Sequence, residues 1–305
     1  MDVKVSFAAA RLPSLGVLSC EGDDARAFLH AQLTSDIAGL GPQQSRRAGW
    51  CSAKGRLLAT FLVVPVERGF LLQLSRDLAP AVAKRLSLFV LRSKVKLSDA
   101  SDSWVQLGVW GAGAAMRLEA LGLAVPGPAL ACARTGATTV VHVGTERYLL
   151  LSPAAEAERL SEGATEAAER DWFLQDIRDG QPRVLLATQE QFVPQMVNLE
   201  RLGAVDFQKG CYPGQEIVAR TQYRGVLKRR MVRARVAAAA SPGDELFAAE
   251  PAGQAAGIVA NAVRRDEGGS ELLAVLQIGA VEGSKAVRLR APDGPVLELL
   301  PLPYA

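Results

Sequence analysis

Within eight residues, Lys209-Gly210-Cys211-Tyr212-Pro213-Gly214-Gln215-Glu216, the chain sets out a cation, a thiol, an aromatic ring, a turn and a carboxylate. Lys209 lies two residues before Cys211, and Arg220 and Arg224 follow a little further on. Positive charge near a thiol favours the thiolate and makes the sulfur a better nucleophile. Pro213-Gly214 suits the centre of a type II turn, because Pro fixes φ at the first central position and Gly accepts positive φ at the second. Gly210 leaves room beside Cys211 for another backbone or a ligand. The same spacing also fits a bland role for Cys211 as a small buried apolar residue, which free cysteines often are. Spacing alone leaves both open.

The residues leading into this stretch narrow the choice. Phe192-Val193-Pro194-Gln195-Met196-Val197-Asn198-Leu199, then Leu202-Gly203-Ala204-Val205 and Phe207 to Arg220, together resemble the signature of the YgfZ family. These are folate-binding proteins related to the T-protein of the glycine cleavage system. The likeness extends along most of the chain. Phe28-Leu29 with Leu33-Thr34-Ser35-Asp36 resembles the family's N-terminal helix, Cys51-Ser52-Ala53-Lys54-Gly55-Arg56-Leu57 its next strand pair, and Leu300-Pro301-Leu302-Pro303-Tyr304 its usual ending.

The resemblance implies an α+β, aminomethyltransferase-like fold: two α+β subdomains, one of them ferredoxin-like, then a C-terminal antiparallel β-barrel. The implied cofactor is tetrahydrofolate or a one-carbon derivative. The implied partners are iron–sulfur client proteins, including an enzyme that modifies tRNA. Cys211 becomes the functional thiol, with Lys209, Gln215 and Glu216 in the matching motif. Trp172 matches a tryptophan of the family's folate site, and Leu15 stands where the family has a second one. A pterin needs an apolar slot with a few fixed hydrogen bonds, and its glutamate tail needs a cation. Arg220, Arg224 and Lys228 are the candidates for the tail.

Departures from the relatives bear on activity. Aminomethyltransferases carry paired aspartates where this chain has Gly55-Arg56-Leu57-Leu58-Ala59, and an acid where it has Arg178. Leucine and alanine cannot move a proton. Aminomethyl transfer is therefore the lesser alternative, and would need another acid such as Glu216 or Asp206. A non-catalytic adaptor for iron–sulfur clients is the other alternative.

The rest of the chain must position these groups. At 305 residues it exceeds what one core usually holds. The expected division is 1–225 for the folate-binding region and 226–305 for the barrel. A hydrophobic content of 49% with 22% charged residues is ordinary for a globular protein. A net charge of +3 gives little reason to expect nucleic acid. No apolar run is long enough for a membrane span and Met1–Ser6 lacks signal-peptide character, so a cytoplasmic protein is expected; a monomer is expected as well. Cys20, Cys51, Cys132 and Cys211 are far apart and the only histidines are His30 and His142, which supports neither a disulfide framework nor a metal site.

Local patterns place the elements. Leu15–Cys20 reads as a strand, and Gly22-Asp23 caps a helix bearing Ala25, Phe28, Leu29 and Leu33. Lys54-Gly55 suits a hairpin turn before a buried strand at Leu57–Val64, with its partner at Phe70–Leu74. Leu78, Val82, Leu86 and Val90 give helical period across Asp77–Leu91. A strand follows at Val95–Leu97. Trp104–Trp110 leads into Gly111-Ala112-Gly113, which mimics a dinucleotide fingerprint but lacks its third glycine and its acid, and reads as a turn into a helix. Thr138–Val143 and Tyr148–Ser152 form a hairpin. Pro153–Asp179 is helical in composition, broken near Gly163. Strands at Met231–Val236, Gly257–Val263, Leu272–Ile278, Ala286–Leu289 and Val296–Leu300, separated by turn clusters, indicate the small barrel.

Overall fold

The computed structural model describes residues 7–162, 164–248, 255–282 and 286–304. Met1–Ser6, the break at Gly163 and the turn at Gly283-Ser284 lie outside them. The chain divides into two compact units. The first takes the chain as far as His30 with Asp36–Arg47 and Phe61–Trp172; the second takes Ala31–Ser35, Ala48–Thr60 and the chain from Phe173 onward.

In the first unit, Trp104–Trp110 and Arg147–Pro153 pair antiparallel at the centre of a six-stranded sheet. Ala8–Arg11 and Thr138–Gly144 flank them, and Thr165–Glu166 and Cys132–Thr135 form the edges. Their apolar residues close on the helix Ala114–Ala120: Leu107, Val109, Val140 and Leu150 pack with Ala114 and Leu118. Gly111-Ala112-Gly113 is thus a turn into a core helix. A five-stranded sheet runs in the order Arg46–Cys51, Leu57–Val66, Gly69–Ser75, Leu15–Glu21, Lys96–Asp99. Its central strands are buried on both faces, which is why they read as unbroken apolar runs rather than alternating ones.

Two local expectations change. The helix expected over Asp77–Leu91 runs only from Ala79 to Ser87, after a short 3-10 turn at Arg76–Leu78. Val90 continued the period but lies beyond the helix, in a turned segment. The Pro153–Asp179 region holds a five-residue helix, Ala157–Ser161, then the two-residue strand Thr165–Glu166, and then the helix Glu169–Arg178. Thr165 and Glu166 are drawn out of helix by parallel pairing with Ala8 and Ala9.

In the second unit, six C-terminal strands form a curled antiparallel half-barrel, in the order Val287–Leu289, Glu245–Ala248, Ala255–Arg264, Ser270–Gln277, Arg229–Val236, Leu297–Leu300. A bridge between Arg288 and Val296 links its two ends. Leu246, Val259, Leu272, Leu276 and Leu289 fill its core. Glu245–Ala248 was not legible beforehand, and the strand expected over Leu272–Ile278 gives way to a short helix at Ile278.

The buried carboxylate of Glu271 ties this half-barrel to the helix Glu169–Arg178. Arg178 Nη2 donates to its Oε1 at 2.9 Å, and Arg233 Nε and Arg265 Nε stand 3.7 and 4.0 Å from its oxygens. Burial alone would raise the pKa of Glu271, but the Arg178 hydrogen bond and the three guanidinium charges outweigh it and hold the carboxyl below its usual range. A depressed folded-state pKa contributes stability that is present above the unfolded value, about 4.3, and lost as pH falls through the folded one. Glu271→Gln is expected to cost about 2 kcal/mol at pH 7, with the difference from wild type shrinking as pH falls below about 4.3. Urea unfolding at a series of pH values measures it. A cost that stays constant with pH would assign the effect to packing instead.

Candidate functional site

Asp206 begins the motif. Its Oδ1 accepts the backbone N–H groups of Gln208 at 2.7 Å and Lys209 at 3.1 Å, an Asx-type turn that bends the chain. Lys209 Nζ donates to the Leu33 carbonyl at 2.6 Å and stands 5.0 Å from the centre of the Tyr212 ring. Its charge is thus anchored on a backbone carbonyl and an aromatic face. Tyr212 is buried, and burial pushes its pKa up, with Cys51 and Asp206 nearby adding to the effect. Its hydroxyl has no hydrogen-bond partner among the described residues.

Tyr212 to Gln215 forms the expected turn. Gln215 N donates to Tyr212 O at 3.2 Å, and Gly214 has φ +79° and ψ +4°, the values of the second central position of a type II turn. The helix Gln215–Tyr223 starts there. It is pinned from the side by Gln195, whose Nε2 donates to Val218 O at 2.7 Å. Gln195 Oε1 is buried and without a partner among the described residues.

A second turn backs the first. Gly55 N donates to Ser52 O and Ser52 N to Arg56 O, both at 2.8 Å, closing the Ser52–Arg56 hairpin. A Cβ on Gly214 would come 2.4 Å from the Ser52 carbonyl and 2.7 Å from Gly55 Cα. The two backbones touch because residue 214 is glycine, and a Cβ on Gly55 would in turn press on Ile217 at 2.9 Å. Thr34 holds a third stretch in place: its Oγ1 donates to Ala204 O at 2.6 Å and accepts from Gly49 N at 2.7 Å. The three motifs around Thr34, Lys54 and Cys211, distant in sequence, meet here.

Among the described cysteines Cys211 is exposed, while Cys20, Cys51 and Cys132 are buried. Burial pushes the buried thiols up to about 12, about 12 and about 11, which keeps them protonated and inert. Cys211 is held at the surface by the turn that follows it. Gln215 Nε2 reaches the Lys209 carbonyl at 3.5 Å, and Glu216 is exposed at the start of the helix. Arg220, Arg224 and Lys228 are also exposed, and their side chains make no hydrogen bond or ion pair among the described residues. Phe207 and Tyr223 meet edge to face, ring centres 5.8 Å apart, beside these cations.

Trp172 and Leu15 belong to the first unit, whereas the motif belongs to the second. Leu15 is buried in its strand opposite Ser75. Trp172 is 3% exposed. The Arg147 guanidinium lies 4.2 Å from its ring centre and donates to its carbonyl at 3.2 Å, and Trp110 tilts against it at 5.8 Å. Gly108 lies directly against the ring: a Cβ there would come 2.3 Å from it. Trp172 is therefore a fixed ring with little free face. Arg178 is committed to Glu271 and supplies no proton-transfer group.

The anchoring of Lys209 on Leu33, the buried Tyr212 hydroxyl and the Gly55–Gly214 contact escaped the sequence reading, since each joins residues far apart in the chain or depends on burial. Among the described residues no three His, Cys, Asp or Glu side chains group closely enough to hold a metal ion.

No protein-family model matches the chain. It is 33% identical over 298 residues to the tRNA-modifying protein YgfZ of Edwardsiella ictaluri (strain 93-146), covering 94% of this chain and 89% of that one. It is 32% identical over 314 residues to the tRNA-modifying protein YgfZ of Klebsiella pneumoniae (strain 342), covering 97% and 95%. Among solved structures, it is similar to the glycine cleavage system aminomethyltransferase T from Bartonella henselae, with a TM-score of 0.75 over 97% of this chain and 85% of that one. Their 16% identity makes this a likeness of fold alone.

Proposed function

The chain belongs to the YgfZ family of tRNA-modifying proteins, and on that premise we propose that it binds a reduced folate and acts through the Cys211 thiol in assembling or repairing iron–sulfur proteins. Its part in tRNA modification then runs through an iron–sulfur client enzyme. The observation that carries this is the contrast among the cysteines: one thiol stands exposed on a turn locked by two touching glycines, while Cys20, Cys51 and Cys132 are buried and inert.

The residues present fit a folate in part. Arg220 and Arg224 are exposed and unpaired among the described residues, which suits an anionic glutamate tail. The buried polar atoms Tyr212 Oη and Gln195 Oε1 lie unpartnered in the same unit. Trp172, stacked by Arg147 and backed by Gly108, is a fixed ring rather than a free stacking platform. When bound, the folate would supply a one-carbon group, and Cys211 a nucleophile or a contact to a client. An aminomethyltransferase activity is less well supported, because Arg178 is engaged with Glu271 where the relatives have an acid.

The tail assignment has a direct test. Replacing both Arg220 and Arg224 by Ala is expected to weaken binding of polyglutamylated tetrahydrofolate about tenfold, while leaving the monoglutamate little changed. Isothermal titration with both ligands measures it. Equal affinity of variant and wild type for the polyglutamate would remove these arginines from the site.

A further inference from the structure

From Ile217 to Gly243 the chain holds seven cations and no Asp or Glu. Three of the seven are compensated. Arg230 pairs with Glu200 and Arg235 with Glu298, both at 2.8 Å, and Arg233 stands 3.7 Å from Glu271. The other four, Arg220, Arg224, Lys228 and Arg229, are exposed, and none has an acid within ion-pair distance among the described residues. Two acids lie nearby along the chain. Asp206 Oδ1 is turned to the N–H groups of Gln208 and Lys209, and Glu216 sits in the first turn of the helix whose last turn bears Arg220. The cations outnumber them, an excess that the net charge of +3 over the whole chain conceals.

An aromatic ring stands among the four. Tyr223 is 69% exposed. Arg220 lies three residues back, on the same side of the helix, and Arg224 follows directly, its N–H donating to Arg220 O at 2.9 Å. Phe207, at the head of the motif, meets Tyr223 edge to face with the ring planes at 69°. A contact of that kind covers at most one face of a ring, so Tyr223 keeps a face open to solvent. Charge and ring together select the ligand. A folate's glutamate tail uses the cations and leaves the ring idle, and a protein interface is depleted of charge at its core. A single strand of nucleic acid uses both, since it carries a phosphate on every nucleotide and an unstacked base for the open face. A duplex keeps its bases stacked and offers this surface phosphates alone.

We propose that Arg220, Tyr223, Arg224, Lys228 and Arg229 form a binding surface for single-stranded nucleic acid, with Tyr223 stacking on a base and the cations on the phosphates. All five lie in the second unit.

Fluorescence anisotropy of the full chain with labelled strands of about twelve nucleotides tests it, using RNA, DNA and a duplex of the same sequence. Wild type is expected to bind at least one single strand at roughly 0.05 M salt and to lose affinity as salt rises, log affinity against log salt sloping by about −3. The tighter of the two strands tells RNA from DNA. Tyr223→Ala is expected to weaken binding about tenfold and Tyr223→Phe to keep it, because the ring does the stacking. Lys228→Ala combined with Arg229→Ala is expected to flatten the salt slope by about 1.4, a readout that stands even if Tyr223→Ala folds poorly. Absence of single-strand binding, tighter binding of the duplex, undiminished binding by Tyr223→Ala or an unchanged slope in the double variant would overturn the proposal. So would a poly-glutamate peptide that displaces the strand equally well at equal charge; the surface would then serve an acidic protein. These variants leave Arg220 and Arg224 in place, so a negative result leaves the folate reading standing.

Discussion

Gly214→Ala is expected to lower the unfolding free energy by about 3 kcal/mol, with loss of the protein's activity in cells. Two costs add. Gly214 has φ +79°, where any residue with a Cβ costs about 1–2 kcal/mol. The new Cβ would also sit 2.4 Å from the Ser52 carbonyl and 2.7 Å from Gly55 Cα, both backbone atoms that cannot swing aside. Gly203 separates the two costs: it has φ +67°, but a Cβ there meets nothing within 4 Å. Gly203→Ala should therefore lose only the conformational part, about 1 kcal/mol. Chemical denaturation of the three proteins measures both. Equal losses at Gly203 and Gly214 would mean that the two turns are not locked together.

Cys211→Ser is expected to have the opposite profile, with stability within about 0.5 kcal/mol of wild type and function in cells lost. Cys211 is exposed, and exchanging sulfur for oxygen there removes no packing. It does remove the proposed nucleophile, since a serine hydroxyl without an adjacent base is far weaker than a sulfur nucleophile. Rescue of cells that lack the native protein, scored by the activity of an iron–sulfur tRNA-modifying enzyme, should fall at least roughly tenfold. Cys51→Ser is the contrasting control, because it places a hydroxyl in a fully buried site and acts through stability. Full rescue by Cys211→Ser would remove the thiol from the function altogether.

How far the sequence could be read depended on the range of each interaction. The Pro213-Gly214 turn was legible because its geometry is set by the two residues that form it. Most half-barrel strands were legible from their turn clusters. Glu245–Ala248 was not, being four residues long with a bulge at Leu246/Phe247 in its pairing. The helix after Asp77 was overextended because periodicity counts apolar residues without knowing which are covered: Val90 fits the period, yet Leu88, Phe89 and Leu91 face solvent. At the site, the chemistry-bearing residues were legible but not their commitments. Lys209 was read as a charge for the thiol, and it lies on the Leu33 carbonyl and the Tyr212 ring. Arg178 was read as a lost acid, and it is the anchor of Glu271, 93 residues away. Trp172 matches a folate-site tryptophan by sequence, and its flanking by Arg147 and Gly108 is visible only in the fold. Each of these depends on partners that only the folded chain brings close.

The central claim is that this protein binds a reduced folate, and titration of tetrahydrofolate into the purified chain, followed by tryptophan fluorescence, tests it most directly. Saturable binding with a dissociation constant in the micromolar range is the expected result, and would make the chemistry at Cys211 the next question. No saturable change at millimolar tetrahydrofolate would contradict it: the chain would then keep the fold without the ligand, and Cys211 would act, if at all, on a client protein alone.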